Sequence, residues 1–110
     1  MLPWIYLCLA GCFEIFWPLG LKISQQPDRR LLGLAMAVMG MAVSGFLLWL
    51  AQRDIPIGTA YAVWTGIGAV GTFVVGIAFF KDPATAARMV GVGLIAAGII
   101  TLKVASAGEH

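Results

Sequence analysis

The sequence predicts an all-α membrane protein with four transmembrane helices per subunit. Two observations carry this. Of 110 residues, 61% are hydrophobic and only 11% charged, whereas a soluble domain is about a quarter charged and a small one has a large surface to cover with polar groups. The few charges also cluster, cutting the chain into long uncharged runs, and about 20 apolar residues cross a bilayer as a helix. The expected spans are residues 2–21, 31–51, 55–80 and 84–103, all within one domain, 1–110.

The first span carries one charge, Glu14, in GCFEIFWPLGLK. No Lys or Arg precedes it and no small-residue cleavage pattern follows it, so it is not expected to be a signal peptide. A charge at mid-span costs at least ~2.5–3.5 kcal/mol on insertion scales, so an intramembrane acid is by default a functional group. Leu7, Ala10, Gly11, Trp17 and Leu21 share its helix face. Gly11 opens space one turn before the carboxylate, and Trp17 sets a ring one turn after it. Pro18 has no N–H for the carbonyl of residue 14, which frees a backbone acceptor beside the carboxylate. The alternative is a plain kink satisfied by a neighbouring helix. Cys8 and Cys12 share one face; a metal site would need more ligands than two thiols, so they read as small packing residues and no metal or other cofactor is expected.

The loop QQPDRR leads to the second span, where Ser44 is the clearest polar side chain; a hydroxyl there often bonds back to its own helix. Arg53-Asp54 with Pro56 forms a tight second loop. The third span, IPIGTAYAVWTGIGAVGTFVVGIAFF, sets Tyr61 and Trp64 on one face. Gly66-Ile67-Gly68 is a candidate bend, since glycine weakens a helix interior by roughly 1 kcal/mol relative to Ala; small residues also allow close packing. Trp4 and Trp49, near span ends, read as interfacial anchors. Lys81-Asp82-Pro83 forms the third loop. In the fourth span Gly93, Ala97 and Thr101 recur every four residues, a small-residue stripe of the kind that lets helices associate. KVASAGEH is expected to be a polar tail, and His110 has no expected role.

Loops this short make neighbouring helices antiparallel and suggest a compact four-helix unit. Loops one and three carry Lys22, Arg29, Arg30, Lys81 and Arg88; the other side carries Arg53, Lys103 and the amino terminus. By the positive-inside rule this small bias would put the termini outside. The net charge of +2 is too small and dispersed for nucleic acid. One such unit offers one carboxylate and little room for a pore. Two copies would set two carboxylates around one cavity. Such a pair resists ionising together out of water, so it holds protons or a cation but disfavours both at once, the physical basis of exchange.

GCFEIFWPLGLK, GMAVSGFLL, DIPIGTAYAVWTGIGAVG and GIITLK together resemble the small multidrug resistance transporters over nearly the whole chain, and most closely their guanidinium exporter branch. The resemblance implies a multi-pass protein of the bacterial inner membrane, working as an antiparallel dimer with both copies of Glu14 in one site that binds protons and substrate alternately. It implies that Ser44, Tyr61 and Trp64 surround the carboxylates, that Gly66 and Gly68 bend the third helix, and that the fourth helix, with Gly93, Ala97 and Gly98, makes the dimer contact. Gly11, Trp17, Met41 and Lys103 match positions that favour the guanidinium branch. Pro18 departs from the usual alanine and Gly33 from a common proline, and the first loop is one residue longer; these departures point to a changed substrate range or to one half of a paired, heterodimeric exporter.

The expected function is therefore proton-coupled export of guanidinium-type cations, with protons, a small organic cation, the lipid bilayer and a second copy as partners. A guanidinium ion is planar, carries N–H donors and pairs bidentately with carboxylates, and aromatic faces stack on it. The alternatives are a broad exporter of quaternary ammonium cations and a non-transporting subunit that modulates a partner. No nucleophile–base pair suggests an enzyme.

Overall fold

The computed structural model describes residues 2–107. Its four spans run over Leu2–Ser24, Pro27–Ala51, Ile57–Phe80 and Ala86–Ser106. The first is interrupted: α1 covers Leu2–Glu14 and α2 covers Phe16–Ser24, with Ile15 between them in a turn. The cause is Pro18, which cannot donate to the carbonyl of Glu14. The turn tightens where that bond is lost: Ile15 N–H donates to the Cys12 carbonyl at 3.2 Å, three residues back. Ile15 keeps right-handed helical dihedrals, φ −69° and ψ −32°, so the axis continues.

After a single 3-10 turn at Pro27–Arg29, α3 runs from Arg30 to Ala51. Pro56 leads extended into α4, Ile57–Phe80. Lys81 ends α4 in the left-handed region, φ 59°, and Asp82 N–H donates to the Gly76 carbonyl at 3.1 Å. The Thr85 hydroxyl accepts the Arg88 N–H at 3.2 Å, a cap for the first turn of α5, Ala86–Ala107. Residues 103–107, expected in a polar tail, thus extend the last helix; His110 lies outside the described residues.

The helices do not close into a compact bundle. α3 packs on α1 and α2, α1 also packs on α4, and α4 packs on α5, while α3 and α4 meet only marginally. The lateral order is α3, then α1–α2, then α4, then α5. The radius of gyration is 15.1 Å, against about 13 Å for a compact chain of this length. Short loops fix which helices run antiparallel but not whether all four close together: here α1, α3 and α4 meet around Ser44, and α5 packs mainly on α4.

The subunit has little interior. The main buried apolar cluster is Leu7, Ala51, Ile55, Ala60 and Val63, where α1, the end of α3, the second loop and α4 meet. No residue of α5 within its span is buried. Leu31, Val38, Met41, Phe46, Trp49, Ile57 and many like them are exposed, as apolar side chains facing lipid are. Two span-end tryptophans carry cations on their faces: Lys103 Nζ lies 4.9 Å from the Trp4 ring and Arg53 Cζ lies 5.6 Å from the Trp49 ring. Cys8 and Cys12 are free and exposed, not packed inside the subunit.

Candidate functional site: a carboxylate on a glycine-lined helix seam

Small residues let α1 and α4 approach closely, and each glycine in the seam receives a side chain of the other helix. A β-carbon placed on Gly11 would lie 2.6 Å from Cβ and Cγ2 of Ile67. One placed on Gly71 would collide with Cδ1 of Ile15. One placed on Gly68 would lie 2.5 Å from Cγ of Glu14 and 3.1 Å from its Cβ. Real β-carbons do not approach so closely, so these three positions fix the register of the two helices. The space expected beside Gly11 is filled within the subunit by Ile67.

Glu14 is half-buried. Its side chain rests on α4 and emerges from the seam at the last residue of α1, beside the break at Ile15. The spans packed around it bring no second acid or base: residues 31–51 and 57–80 contain none, and Tyr61 is their one phenol.

One turn before Glu14, on the same face of α1, three helices are tied by a polar chain. Ser44 of α3 is fully buried. Its hydroxyl donates to the Ala10 carbonyl at 2.7 Å and accepts the Trp64 indole N–H at 2.8 Å. Ser44 therefore bonds across helices and not back to α3. Trp64 has one N–H, and Ser44 holds it. Tyr61 lies one turn from Trp64, with ring centroids 5.4 Å apart at 52°, and is itself exposed. Met41 is exposed on α3 and Trp17 is half-buried on α2. Lys103 is far along α5, over Trp4.

Gly66 and Gly68 lie within an unbroken α4 and take neighbours on different sides. A β-carbon on Gly66 would lie 2.8 Å from Ile99 Cδ1 of α5. On α5 itself, Gly93 and Gly98 have no atom within 4 Å of such a β-carbon, and Ala97 is exposed.

Pro18 lines a cavity of about 200 Å³ between α2 and α4, with Leu19, Lys22, Thr72 and Asp82 among its walls. Sequence reasoning missed Thr72 and Asp82 here, because nothing in the pattern links the end of α4 to Pro18. Gly33, unusual by resemblance, has a packing reason: a β-carbon there would collide with the Ser24 amide nitrogen and the Gly20 carbonyl oxygen of α2.

The family model described as Small Multidrug Resistance protein matches residues 2–95. A guanidinium exporter of Yersinia pseudotuberculosis is 50% identical over 105 residues, covering 96% of this chain and 100% of that protein. A guanidinium exporter of Citrobacter freundii is 45% identical over 105 residues, covering 96% and 99%. One of Salmonella typhimurium strain LT2 is 43% identical over the same length and shares of each chain. With its four spans and an acid set in the first, the chain belongs to the small multidrug resistance family.

Proposed function

We propose that the protein is a proton-coupled antiporter in a bacterial inner membrane that exports guanidinium and small substituted guanidinium cations. The observation that carries this is Glu14, the only acid in helices α1 to α5, half-buried where α1 breaks and seated on α4. The naming of relatives at 43–50% identity as guanidinium exporters favours guanidinium as the cargo over quaternary ammonium ions.

The working unit is an antiparallel dimer. Its support is physical: one subunit leaves Glu14 half-buried with no second acid in the spans packed on it, and a second copy would supply one. α5 offers Gly93, Ala97 and Gly98, with open space over both glycines, as a surface for close helix contact. In that dimer the two Glu14 carboxylates share one site. They hold protons in one half of the cycle and the cation in the other, since two ionised carboxylates without a partner are costly out of water. Tyr61 and Trp64 offer ring faces for a flat cation. Ser44 holds the indole in place, and Trp17 and Met41 shape the approach, while Gly11 serves the seam, its space taken by Ile67. Gly66 and Gly68 are where α4 bends during exchange.

The test is reconstitution of this chain alone in vesicles. An imposed guanidinium gradient should drive proton movement in the opposite direction. Absence of coupled flux from the chain alone, restored by a second family member, would instead identify one half of a heterodimeric exporter. Coupled flux with tetraalkylammonium but not with guanidinium would favour the broad exporter.

A further inference from the structure

The two glycines at the proposed bend of α4 have different neighbours. Gly66 receives Ile99 of α5, and Gly68 receives Glu14 of α1. Two residues along an α-helix turn through about 200°, so these sockets look to nearly opposite sides of α4. A bend or roll of α4 between them must disturb one contact or the other. The three atoms nearest to a β-carbon on Gly68 are Cγ, Cβ and Cδ of Glu14, at 2.5, 3.1 and 3.8 Å. Gly68 thus touches the acid's side chain along its length, up to the carboxyl carbon.

We propose that Gly68 is a positioning residue for Glu14: its missing side chain forms the seat that sets how far the carboxylate reaches from the seam, and movement of α4 acts on the carboxylate through this contact. This rests on the proton-coupled exchange proposed for Glu14, and gives that exchange a mechanical link. A change of partner at Glu14 alters the pressure on α4 at Gly68, and a bend of α4 withdraws the seat. Gly71, one turn further on the same seam, serves as the internal comparison. Its socket holds the aliphatic Ile15, so a methyl there disturbs packing without touching the acid.

The experiment uses the full chain in vesicles, with Gly68→Ala and Gly71→Ala beside wild type. Guanidinium-driven proton flux is followed across pH and substrate concentration. Gly68→Ala is expected to raise the KM for guanidinium about tenfold, the scale of one displaced charge-assisted hydrogen bond, and to move the pH of half-maximal transport. Gly71→Ala is expected to keep the wild-type pH midpoint. Equal KM and midpoint in Gly68→Ala and wild type would overturn the proposal, as would equal midpoint shifts in both variants. Inactive wild type would count against the transport reading itself and leave the decision to a second measurement.

That measurement is thermal unfolding in detergent, which needs no transport. If Glu14 is what the new methyl meets, Gly68→Ala should lower the unfolding midpoint when Glu14 is present. Introduced into Glu14→Ala, it should leave the midpoint unchanged or raise it, because Ala is the better helix former. The same loss on both backgrounds would show that Gly68 serves another contact, and the seat would be rejected.

Discussion

Glycine does opposite things in two regions of this molecule. In the α1–α4 seam, Gly11, Gly68 and Gly71 are each filled by a side chain of the facing helix: Ile67, Glu14 and Ile15. At the outer edge, on α5, Gly91, Gly93 and Gly98 face open space. A glycine in a helix interior costs roughly 1 kcal/mol relative to Ala. In the seam that cost is offset within the subunit by close packing. On α5 nothing within the subunit offsets it. The difference separates glycines that build the subunit from glycines that its own packing does not explain.

The largest expected effect tests whether the seam alone carries exchange. Glu14→Gln keeps the shape of the side chain on Gly68 and removes the titratable group. It should abolish guanidinium-driven proton flux while the protein still elutes as a folded dimer. Arg88→Gln, a charge removed from the exposed start of α5, should retain exchange. Normal coupled flux in Glu14→Gln would end the reading of the seam as the functional region.

The next effect separates fold from assembly. Gly93→Leu fills open space on α5 and should leave the helix content of the subunit unchanged while dissociating the dimer, as read by light scattering in detergent. Gly71→Leu fills a socket already holding Ile15 and should lower the unfolding midpoint of the subunit itself. A dimer that survives Gly93→Leu would move the assembly surface away from this face of α5.

The seam and the edge were not equally legible in the sequence. The four spans were, because Asp28, Arg29, Arg30, Arg53, Asp54, Lys81 and Asp82 fall between uncharged runs, and a bilayer excludes them. The break after Glu14 was legible too, because a proline removes one known N–H. The open stripe of α5 could be read as small residues with a period of four. The partners of the seam glycines could not. Composition says that Gly68 lacks a side chain; it does not say that Glu14 lies over it, since that needs the register of α1 on α4. Ser44 was a hydroxyl with its own helix nearby, and only the three-helix geometry reveals that it bonds Ala10 and Trp64. The outlying place of α5 was hidden for the same reason: loop lengths constrain neighbours in sequence, while closure of a bundle depends on which faces pack.

A smaller effect compares one hydroxyl in each region. Ser44 ties α3 to α1 and α4, while Thr101 bonds only the Ala97 carbonyl of its own helix at 2.8 Å. Interhelical hydrogen bonds in membranes average about 0.6 kcal/mol, with a ceiling near 1.7. Losing both bonds in Ser44→Ala should therefore cost about 1–2 kcal/mol of subunit stability and free the Trp64 indole. Thr101→Ala should change stability by much less. Unfolding in graded denaturing detergent checks both; equal losses would show that the polar chain adds no more than a local bond.

The smallest effect concerns Pro18, at the end of the seam, and it reads selectivity. Pro18→Ala restores an N–H beneath the Glu14 carbonyl, and α1 should then continue into α2 through Ile15 by a normal helical bond. If the freed carbonyl accepts from bound substrate, ligands with N–H donors should lose affinity, and tetraalkylammonium ions of similar size, which have none, should not. The loss is bounded. A carbonyl keeps a second lone pair after accepting a helical bond, so the cost should fall below the roughly 1.5 kcal/mol at the low end for a hydrogen bond to a charged group, which caps the change in affinity at about tenfold. Substituted guanidiniums that keep N–H donors should show it alongside guanidinium. Tryptophan-fluorescence titrations of wild type and Pro18→Ala, at one pH and with both ligand classes, measure the difference. A selective loss for the guanidiniums assigns the carbonyl a place in recognition. An equal change in both classes would reduce Pro18 to the residue that breaks α1 from α2.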